Sequence, residues 1–370
     1  MALSNKIDPT RATANLAAWL GNRMPDAGDI KVSGLNVPSS SGLSNETVLF
    51  EASWTANGEH HTQGMVARVQ PDGAGVFDSY DLAKEATVMR ALAEHTPVAA
   101  PKVLFYEPDA EVLGAPFLVM ERVDGRIPSD DPPFTAAGWV LELEPAQRAL
   151  MWDNSLQTLA ELHRADWRGL GLEFLDTPEQ GSGLAAQLDR WEHTFRWATE
   201  GEPNPTVETA LRWLRDNQPT DEGEKVLNWG DARVGNIIFD DRLQVAAVLD
   251  WEMVCLANRE LELGWFLFLN RHHTEGIGLP LPEGIPDAAA TVARYQELTG
   301  HTLRNIDYYE IFAGTRIAVL MVRAAHMMIA GGLLPPDATM ALNNPSTQLL
   351  AKMLNLPAPT GQAVSFIGNR

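Results

Sequence analysis

The stretch Asn228–Asn236, which spells NWGDARVGN, holds the polar residues from which the interpretation of this chain starts. An acid at Asp231 and an amide at Asn236 stand five positions apart, and Gly230 and Gly235 supply two glycines beside them. The segment lies between an apolar KVL and a strand-like IIF. Taken alone, such a pattern is more often a solvated turn than a ligand site, so the flanking sequence has to separate the two interpretations.

The segment that follows predicts a β-hairpin that returns a second acid to the same place. The strand-like NIIF leads to a turn at Asp240-Asp241, and the next strand-like run, QVAAVLDWE, carries Asp250 near its end. An antiparallel hairpin brings its two outer ends together, so Asp231, Asn236 and Asp250 can converge. Phosphoryl transfer from a nucleotide requires a carboxylate for the attacking hydroxyl and oxygen ligands for Mg²⁺. The three side chains are therefore candidates for a metal-phosphate site.

The first third of the chain predicts a small sheet that carries one helix. A hairpin is indicated by two alternating runs joined through Asn57-Gly58, a strong turn signal. A helix follows over 78–95, with Asp78 or Ser79 as its N-cap. Two further strands complete the sheet, so that the four predicted strands are ETVLFEASW, HTQGMVARVQ, KVLFYE and APFLVMERV.

Beyond about residue 124 the pattern becomes helical. The loop VDGRIPSDDPPF is rich in Gly, Pro and Asp, and most later segments repeat apolar residues at helical spacing. The NWGDARVGN hairpin interrupts this region. We therefore predict an α+β, two-lobed fold with a β-rich N-terminal lobe over 1–122 and a larger, mostly helical catalytic and substrate lobe over 123–370.

The motif set resembles that of a known enzyme family. WGDARVGN, VLDWE and the later NRELELGW are similar to the catalytic core of the aminoglycoside phosphotransferase-like family, which has the protein-kinase-like fold, and the likeness extends over roughly 33–330. The resemblance is to the branch with general metabolic members rather than to dedicated resistance enzymes. It implies that Asp231 is the catalytic base, that Asn236 and Asp250 hold Mg²⁺, and that Glu262 is a buried acid supporting the catalytic loop.

The resemblance also implies a nucleotide site that involves the N-terminal lobe. Arg68 stands where the family carries a phosphate-binding Lys, and Glu85 on the following helix is its expected ion-pair partner. The small-residue loop SSSGLSNE takes the place of the loop that covers the phosphates, and the backbone after the last strand would meet the adenine edge. The residues implied in nucleotide binding are Arg68, Glu85, Ser41, Gly42, Ser44, Glu121 and Val123.

Three positions depart from the family pattern. Arg68 replaces Lys, which keeps the charge but changes its geometry. Trp229 stands where a His often precedes Gly-Asp, and we expect its ring to fill space. Glu262 replaces an expected Asp and is one methylene longer. None of these changes removes the predicted base or a predicted metal ligand.

The expected function is Mg²⁺-dependent transfer of the γ-phosphate of ATP, with GTP as the alternative nucleotide, to a hydroxyl of a small-molecule acceptor. Two other functions stay open. A nucleotide-binding pseudokinase with a regulatory role would bind nucleotide without turnover, and a metal-dependent phosphohydrolase would use the same carboxylates without nucleotide. The sequence does not choose the acceptor among antibiotics and metabolites, nor does it predict an oligomeric state.

Composition limits the partners and the compartment. The 370-residue chain has a formal charge of −21, whereas nucleic-acid binding requires a basic surface, so no nucleic-acid partner is expected. The lone Cys255 excludes an internal disulfide. The apolar run over 313–334 is interrupted by Arg316, Arg323 and His326, which favours a buried helix over a membrane span. We expect a cytoplasmic protein without membrane attachment.

Other charged side chains receive structural interpretations. Arg316 and Arg323 are seven positions apart, so they share one helix face, and we expect buried ion pairs with carboxylates. His272-His273 is expected at the surface, because its spacing does not suit a zinc site. His163, at the end of a helical run, is expected to be a packed or capping residue.

Overall fold

A computed structural model describes residues 7–38, 46–71, 73 and 75–361. The chain divides into two compact units. The first comprises Met1–Glu94 and Ala100–Asp124, and the second comprises His95–Ala99 and Gly125–Arg370.

The first unit is built on a five-stranded antiparallel sheet of strand order β1-β2-β3-β5-β4. Its elements are α1 (Pro9–Arg23), β1 (Gly28–Asn36), β2 (Glu46–Ala56), β3 (Glu59–Val69), α2 (Leu82–His95), β4 (Val103–Glu107) and β5 (Phe117–Glu121). The predicted β2–β3 hairpin is present, and Asn57 and Gly58 in its turn have φ values of 52° and 81°. Both lie in the left-handed region that this turn requires.

The sequence patterns located four of the five strands and missed β1. This edge strand buries only Val32 among its nine residues, so it lacks the apolar alternation from which strands are predicted. The cap predicted at Asp78 or Ser79 is also wrong. Helix α2 begins at Leu82, and the Asp81 carboxylate accepts the Lys84 N–H at 2.9 Å.

Helix α1 supplies much of the core on the sheet of the first unit. Asp8 caps the helix by accepting N–H groups of its first turn, and Pro9 follows at a position that needs no N–H donor. Leu16, Trp19 and Leu20 pack with buried side chains of β2, β3 and β5. Helix α1 therefore covers the sheet with one apolar face, while its other residues are exposed or partly buried.

The second unit is mostly helical and contains two short two-stranded sheets, β6-β9 and β7-β8. Its helices and strands are α3 (Trp139–Glu142), α4 (Pro145–Leu162), α5 (Leu184–Thr199), α6 (Pro205–Asp216), β6 (Val226–Asn228), β7 (Ile237–Phe239), β8 (Val245–Val248), β9 (Cys255–Ala257), α7 (Arg259–His272), α8 (Ala288–Thr299), α9 (Ile306–Ala330) and α10 (Pro345–Met353). The predicted α+β class is confirmed.

Helix α9 is the central helix of the second unit. It packs against α7, α5, α6 and α10. Its length and apolar composition would suffice for a membrane span, but 61% of its most apolar window is buried inside the structure. Its polar stripe includes Arg316, which is 3% exposed and points toward the loop between β6 and β7.

Candidate active site

The loop from Trp229 to Asn236 connects β6 to β7, and its backbone turn depends on Gly230. Gly230 has φ +96°, and a Cβ there would lie 2.2 Å from the carbonyl oxygen of Met253. The segment Val234–Asn236 then forms one turn of 3₁₀ helix before β7 begins. We call this segment, 229–236, the catalytic loop.

The Asp231 carboxylate is held by three side chains. Oδ1 accepts a hydrogen bond from the Trp265 indole at 2.9 Å. Oδ2 accepts hydrogen bonds from Asn236 Nδ2 at 2.7 Å and from Arg233 Nε at 3.0 Å. The side chain keeps 14% of its surface exposed. The structure thus brings Asp231 and Asn236 into direct contact and leaves the carboxylate accessible.

The hairpin returns Asp250 to the end of the sheet where Asn236 lies. Ile237 pairs with Val248, and the Leu249 N–H donates to the Asn236 carbonyl at 2.8 Å. Asp250 is therefore the next residue after this contact. Its φ of +65° lies in the left-handed region, which Asp and Asn adopt more readily than most residues other than glycine.

Trp229 fills the space predicted for it and also supplies hydrogen bonds. The ring is 1% exposed and lies 6.0 Å from the ring of Trp251. Its indole N–H donates to the carbonyls of Leu249 and Asp250 at 2.7 and 3.0 Å. Trp229 thereby connects the start of the catalytic loop to the backbone at Asp250.

Glu262 supports the catalytic loop from α7. Its carboxylate accepts the Trp229 N–H and the Gly230 N–H, the latter at 3.0 Å. It is 1% exposed and lies in the first turn of α7, where the helix dipole favours a negative charge. Nε2 of His163 lies 3.9 Å from this carboxylate, and Nδ1 contacts the Tyr295 hydroxyl at 2.5 Å. His163 is a packed residue, as the sequence indicated.

Arg316 reaches the same loop from α9, which corrects the expectation of a carboxylate partner. Its Nη2 donates to the Gly230 carbonyl at 3.0 Å, and its guanidinium lies 4.1 Å from the centre of the Trp265 ring. Burial lowers the pKa of Arg316 to about 10. Arg323 does pair with a carboxylate, that of Glu200 at 3.3 Å, but the Glu200 side chain is 67% exposed, so the pair is not buried as expected.

An ion pair that the sequence patterns did not predict lies next to Asp231. Arg233 Nη1 donates to Asp130, in the loop of residues 125–138. Burial works to raise the pKa of Asp130, but the charge and hydrogen bond of Arg233, together with the nearby His272 and His273, outweigh it and hold that pKa below its ordinary value. The pair crosses Gly235, where a Cβ would lie 2.5 Å from Asp130 Oδ1. Residues 130 and 233 are too far apart in the sequence for a local pattern to predict their contact, although Arg233 lies within the NWGDARVGN stretch.

The surface position expected for His272-His273 is wrong. His273 is 8% exposed, and its Nε2 lies 3.9 Å from Asp130 Oδ1. His272 contacts the Ser346 hydroxyl through Nδ1 at 3.0 Å, and burial lowers the pKa of His272 to about 3. The two rings pack behind the 125–138 loop, where Phe134 meets His273 edge-on.

In the first unit, the predicted pair of Arg68 and Glu85 is formed. Nη2 of Arg68 on β3 lies 3.6 Å from Oε2 of Glu85 on α2, and these side chains are 12% and 1% exposed. Glu121 ends β5, and its carboxylate accepts a hydrogen bond from Gln63 at 3.2 Å. Val123 follows β5 and is half-buried. Three predicted residues lie outside the described residues, namely Ser41, Gly42 and Ser44.

The metal ligands implied by the family resemblance are one amide and one carboxylate. Among the described residues, no group of three or more His, Cys, Asp or Glu side chains is arranged to hold a metal ion. Mg²⁺ commonly binds through one or two carboxylates together with the phosphate oxygens of a nucleotide. The donor set of Asn236 and Asp250 fits that mode of binding.

Comparison with known proteins identifies the family. Residues 37–301 match the model of the phosphotransferase enzyme family, APH. The chain therefore belongs to this family, as the sequence motifs predicted. A candidate aminoglycoside phosphotransferase from Ralstonia eutropha has a similar structure, with 26% identity and a TM-score of 0.66, covering 94% of this chain and 96% of the other.

More distant solved structures share the fold. A complex of APH(2″)-IIIa with GDP and kanamycin is 14% identical with a TM-score of 0.55, covering 91% of this chain and 98% of that chain. A mutant of APH(4)-Ia with ADP and hygromycin B is 15% identical with a TM-score of 0.53, covering 92% and 98%. These matches confirm the predicted kinase-like fold.

Curated relatives carry names of a different kind. The Arabidopsis thaliana protein "Probable acyl-CoA dehydrogenase IBR3" is 30% identical over 297 residues, covering 75% of this chain and 34% of the relative. "Acyl-CoA dehydrogenase family member 11" of Rattus norvegicus is 31% identical over 284 residues, covering 73% and 34%. The chain thus spans about a third of the length of these relatives.

Alanine substitutions at Gly230 and Gly235 test why each position of the catalytic loop holds glycine. At Gly230, φ is +96° and the added Cβ would meet the Met253 backbone, so Gly230→Ala should lower the free energy of unfolding by about 3 kcal/mol. At Gly235 it would meet side-chain atoms of Asp130 and Arg233 rather than backbone, so Gly235→Ala should displace this ion pair and cost about 1–2 kcal/mol. Urea denaturation of both variants measures the difference, and equal losses would contradict this account.

Proposed function

We propose that this chain transfers the γ-phosphoryl group of ATP or GTP, with Mg²⁺, to a hydroxyl of a small-molecule acceptor. The observation that carries the proposal is the Asp231 carboxylate, hydrogen-bonded to Asn236 and set at the hairpin end that bears Asp250. An accessible carboxylate beside two oxygen donors is the arrangement that phosphoryl transfer requires. Membership of the phosphotransferase family supports the same reaction class.

The hydrogen bonds of Asp231 leave room for an acceptor. An ionised carboxylate has about four acceptor positions, and three are used. Among the described residues, Oδ1 has the indole of Trp265 as its one partner, so the remaining position lies on this oxygen. We assign it to the acceptor hydroxyl, with the ring holding the carboxylate in orientation.

In the proposed step the acceptor oxygen attacks the γ-phosphorus while its proton passes to Asp231. The new O–P bond forms as the bond to the bridging oxygen of the leaving nucleoside diphosphate breaks, and that oxygen keeps the electron pair. Positioning supplies much of the rate, because the hydroxyl and the carboxylate are held in reacting geometry. Arg316 assists indirectly, since it contacts the Trp265 ring and the Gly230 carbonyl.

Asn236 and Asp250 would hold the Mg²⁺ ion, which neutralises phosphate charge when bound. In the first unit, Arg68 would bind phosphate oxygens while its ion pair with Glu85 orients the guanidinium. The GDP and ADP complexes of the structural neighbours support a nucleotide as the phosphoryl donor. Both purine nucleotides therefore belong in the first assays.

Two acceptor classes are favoured by different relatives. The Ralstonia eutropha structure is associated with aminoglycosides, whereas the curated relatives are named for acyl-CoA chemistry. The curated relatives have the higher identity, 30–31% against 26%. We therefore place hydroxyacyl thioesters first in an acceptor screen, followed by amino sugars, macrolides and amino alcohols.

Replacing Asp231 by Asn tests the proposed base. The amide keeps the size of the carboxylate but cannot take the acceptor proton, so Asp231→Asn should lower kcat by about 100-fold or more. The affinity for Mg·ADP should stay within about threefold, because the nucleotide makes its other contacts elsewhere. Calorimetry with Mg·ADP and steady-state phosphate transfer provide the two readouts. Asp153→Asn, which removes one partner of the partly exposed ion pair with Arg294, is the matched control.

The outcomes distinguish the alternative functions. Full activity of Asp231→Asn on the acceptor would contradict the assignment of the base. Nucleotide binding without transfer to any acceptor would support a pseudokinase, and phosphate release from small esters without nucleotide would support a phosphohydrolase.

Asp250→Asn tests whether this position is needed for Mg²⁺ binding or only for its left-handed backbone conformation. Asn tolerates a φ of +65° as well as Asp does, so the melting temperature should stay within about 2 °C of the wild type. The loss of one negative charge should weaken Mg²⁺ binding by about tenfold or more. Titration of Mg²⁺ against nucleotide affinity measures this effect, and an unchanged Mg²⁺ dependence would remove Asp250 from the metal site.

A further inference from the structure

Arg233 is the one basic side chain that hydrogen-bonds Asp231 among the residues that the structure describes. Its Nε donates to Asp231 at 3.0 Å, and its Nη1 donates to Asp130. Two carboxylates therefore fix the plane of one guanidinium beside the proposed base. The side chain is 23% exposed, so a ligand can reach it.

Anchoring of the 125–138 loop does not account for this arrangement. Arg126 exchanges two backbone hydrogen bonds with Phe239, at 2.8 and 2.9 Å. Phe134 is 2% exposed in the core, and the Thr135 hydroxyl donates to the His273 carbonyl. The loop is thus held at both ends without Arg233, so the contact of Arg233 with Asp130 is not what closes the loop.

The hydrogen bonds place Arg233 on the phosphate side of Asp231. Arg233 and Asn236 donate to Oδ2, whereas Trp265 is the one donor to Oδ1 in the part of the chain that the structure describes. Asn236 belongs to the proposed Mg²⁺ site, so the Oδ2 side faces the transferring group and the Oδ1 side faces the acceptor. Within the described part of the chain, Nη2 of Arg233 has no hydrogen-bond partner, which leaves two N–H donors for a ligand.

We propose that Arg233 is a catalytic residue that donates hydrogen bonds to the non-bridging oxygens of the phosphoryl group during transfer, and that Asp130 holds its guanidinium in place. The inference rests on the proposed function. As the phosphorus moves from the bridging oxygen of the nucleotide to the acceptor oxygen, negative charge is spread over three equatorial oxygens. A guanidinium fixed before the reaction stabilises that charge without reorganisation.

Lys could not replace Arg in this role. The Arg fork contacts Asp231, Asp130 and a phosphoryl oxygen at once, with its nitrogens held in one plane. A Lys ammonium carries its donors on a single atom, so it would reach the two carboxylates or the phosphoryl group. We therefore expect Arg233→Lys to retain charge and lose most of the effect.

Binding of a transition-state analogue tests the proposal apart from turnover. ADP with Mg²⁺ and aluminium fluoride mimics the transferring phosphoryl group, and ADP with Mg²⁺ alone does not. Arg233→Met should weaken the aluminium fluoride complex by about 100-fold while the affinity for Mg·ADP changes by less than threefold. Arg233→Lys should weaken the complex by at least tenfold, and Arg294→Met, which removes a partly exposed ion pair with Asp153, should change neither affinity. Calorimetry on the full chain measures each value.

Asp130→Asn provides a second variant in case Arg233→Met folds poorly. It keeps the shape of the partner and removes one charge, so the loss of analogue affinity should be smaller than for Arg233→Met.

Three results would overturn the role of Arg233. They are equal analogue affinity for wild type and Arg233→Met, a parallel loss of Mg·ADP and analogue affinity, and a larger effect from Asp130→Asn than from Arg233→Met. A wild-type chain that binds no Mg·ADP would instead show that the proposed function itself is wrong, and the role of Arg233 would fall with it.

Discussion

The buried carboxylate of Glu262 accepts hydrogen bonds from two consecutive backbone N–H groups, those of Trp229 and Gly230. Each hydrogen bond to a charged group contributes about 1.5–3 kcal/mol, and a buried N–H group without a partner would cost a similar amount. From the opposite side, Arg316 donates to the carbonyl of Gly230. The peptide groups immediately before Asp231 are therefore fixed by the carboxylate of Glu262 on α7 and the guanidinium of Arg316 on α9.

The position of the Asp231 side chain follows from this backbone constraint. Trp265, one turn of helix after Glu262, donates to Oδ1 from the same face of α7. The guanidinium of Arg316 stacks on that indole, so the two helices support the carboxylate as well as the loop. Trp229 extends the arrangement to the Asp250 carbonyl. A site built on rigid helices can hold its reacting groups with the accuracy that positional catalysis requires.

The sequence predicted those parts of the molecule that depend on local pattern. The spacing of Asp231 and Asn236 predicted the loop. The hairpin pattern that follows predicted that the chain returns to the same place at Asp250. The edge strand β1 was missed because most of its residues face solvent. The pair of Asp130 and Arg233 joins residues 103 positions apart, and the partner of Arg316 is a backbone carbonyl. Contacts of this kind depend on how the helices, strands and loops pack together. The spacing of residues along the sequence does not predict that packing.

The most direct test of the central claim follows the γ-phosphate itself. The chain would be incubated with Mg²⁺, nucleotide labelled in its γ-phosphate, and each member of the acceptor screen. Direct transfer predicts that the label moves to the acceptor, that the protein stays unlabelled, and that free phosphate forms slowly. A stable label on the protein, or free phosphate as the main product at every acceptor, would contradict direct transfer to a hydroxyl positioned by Asp231.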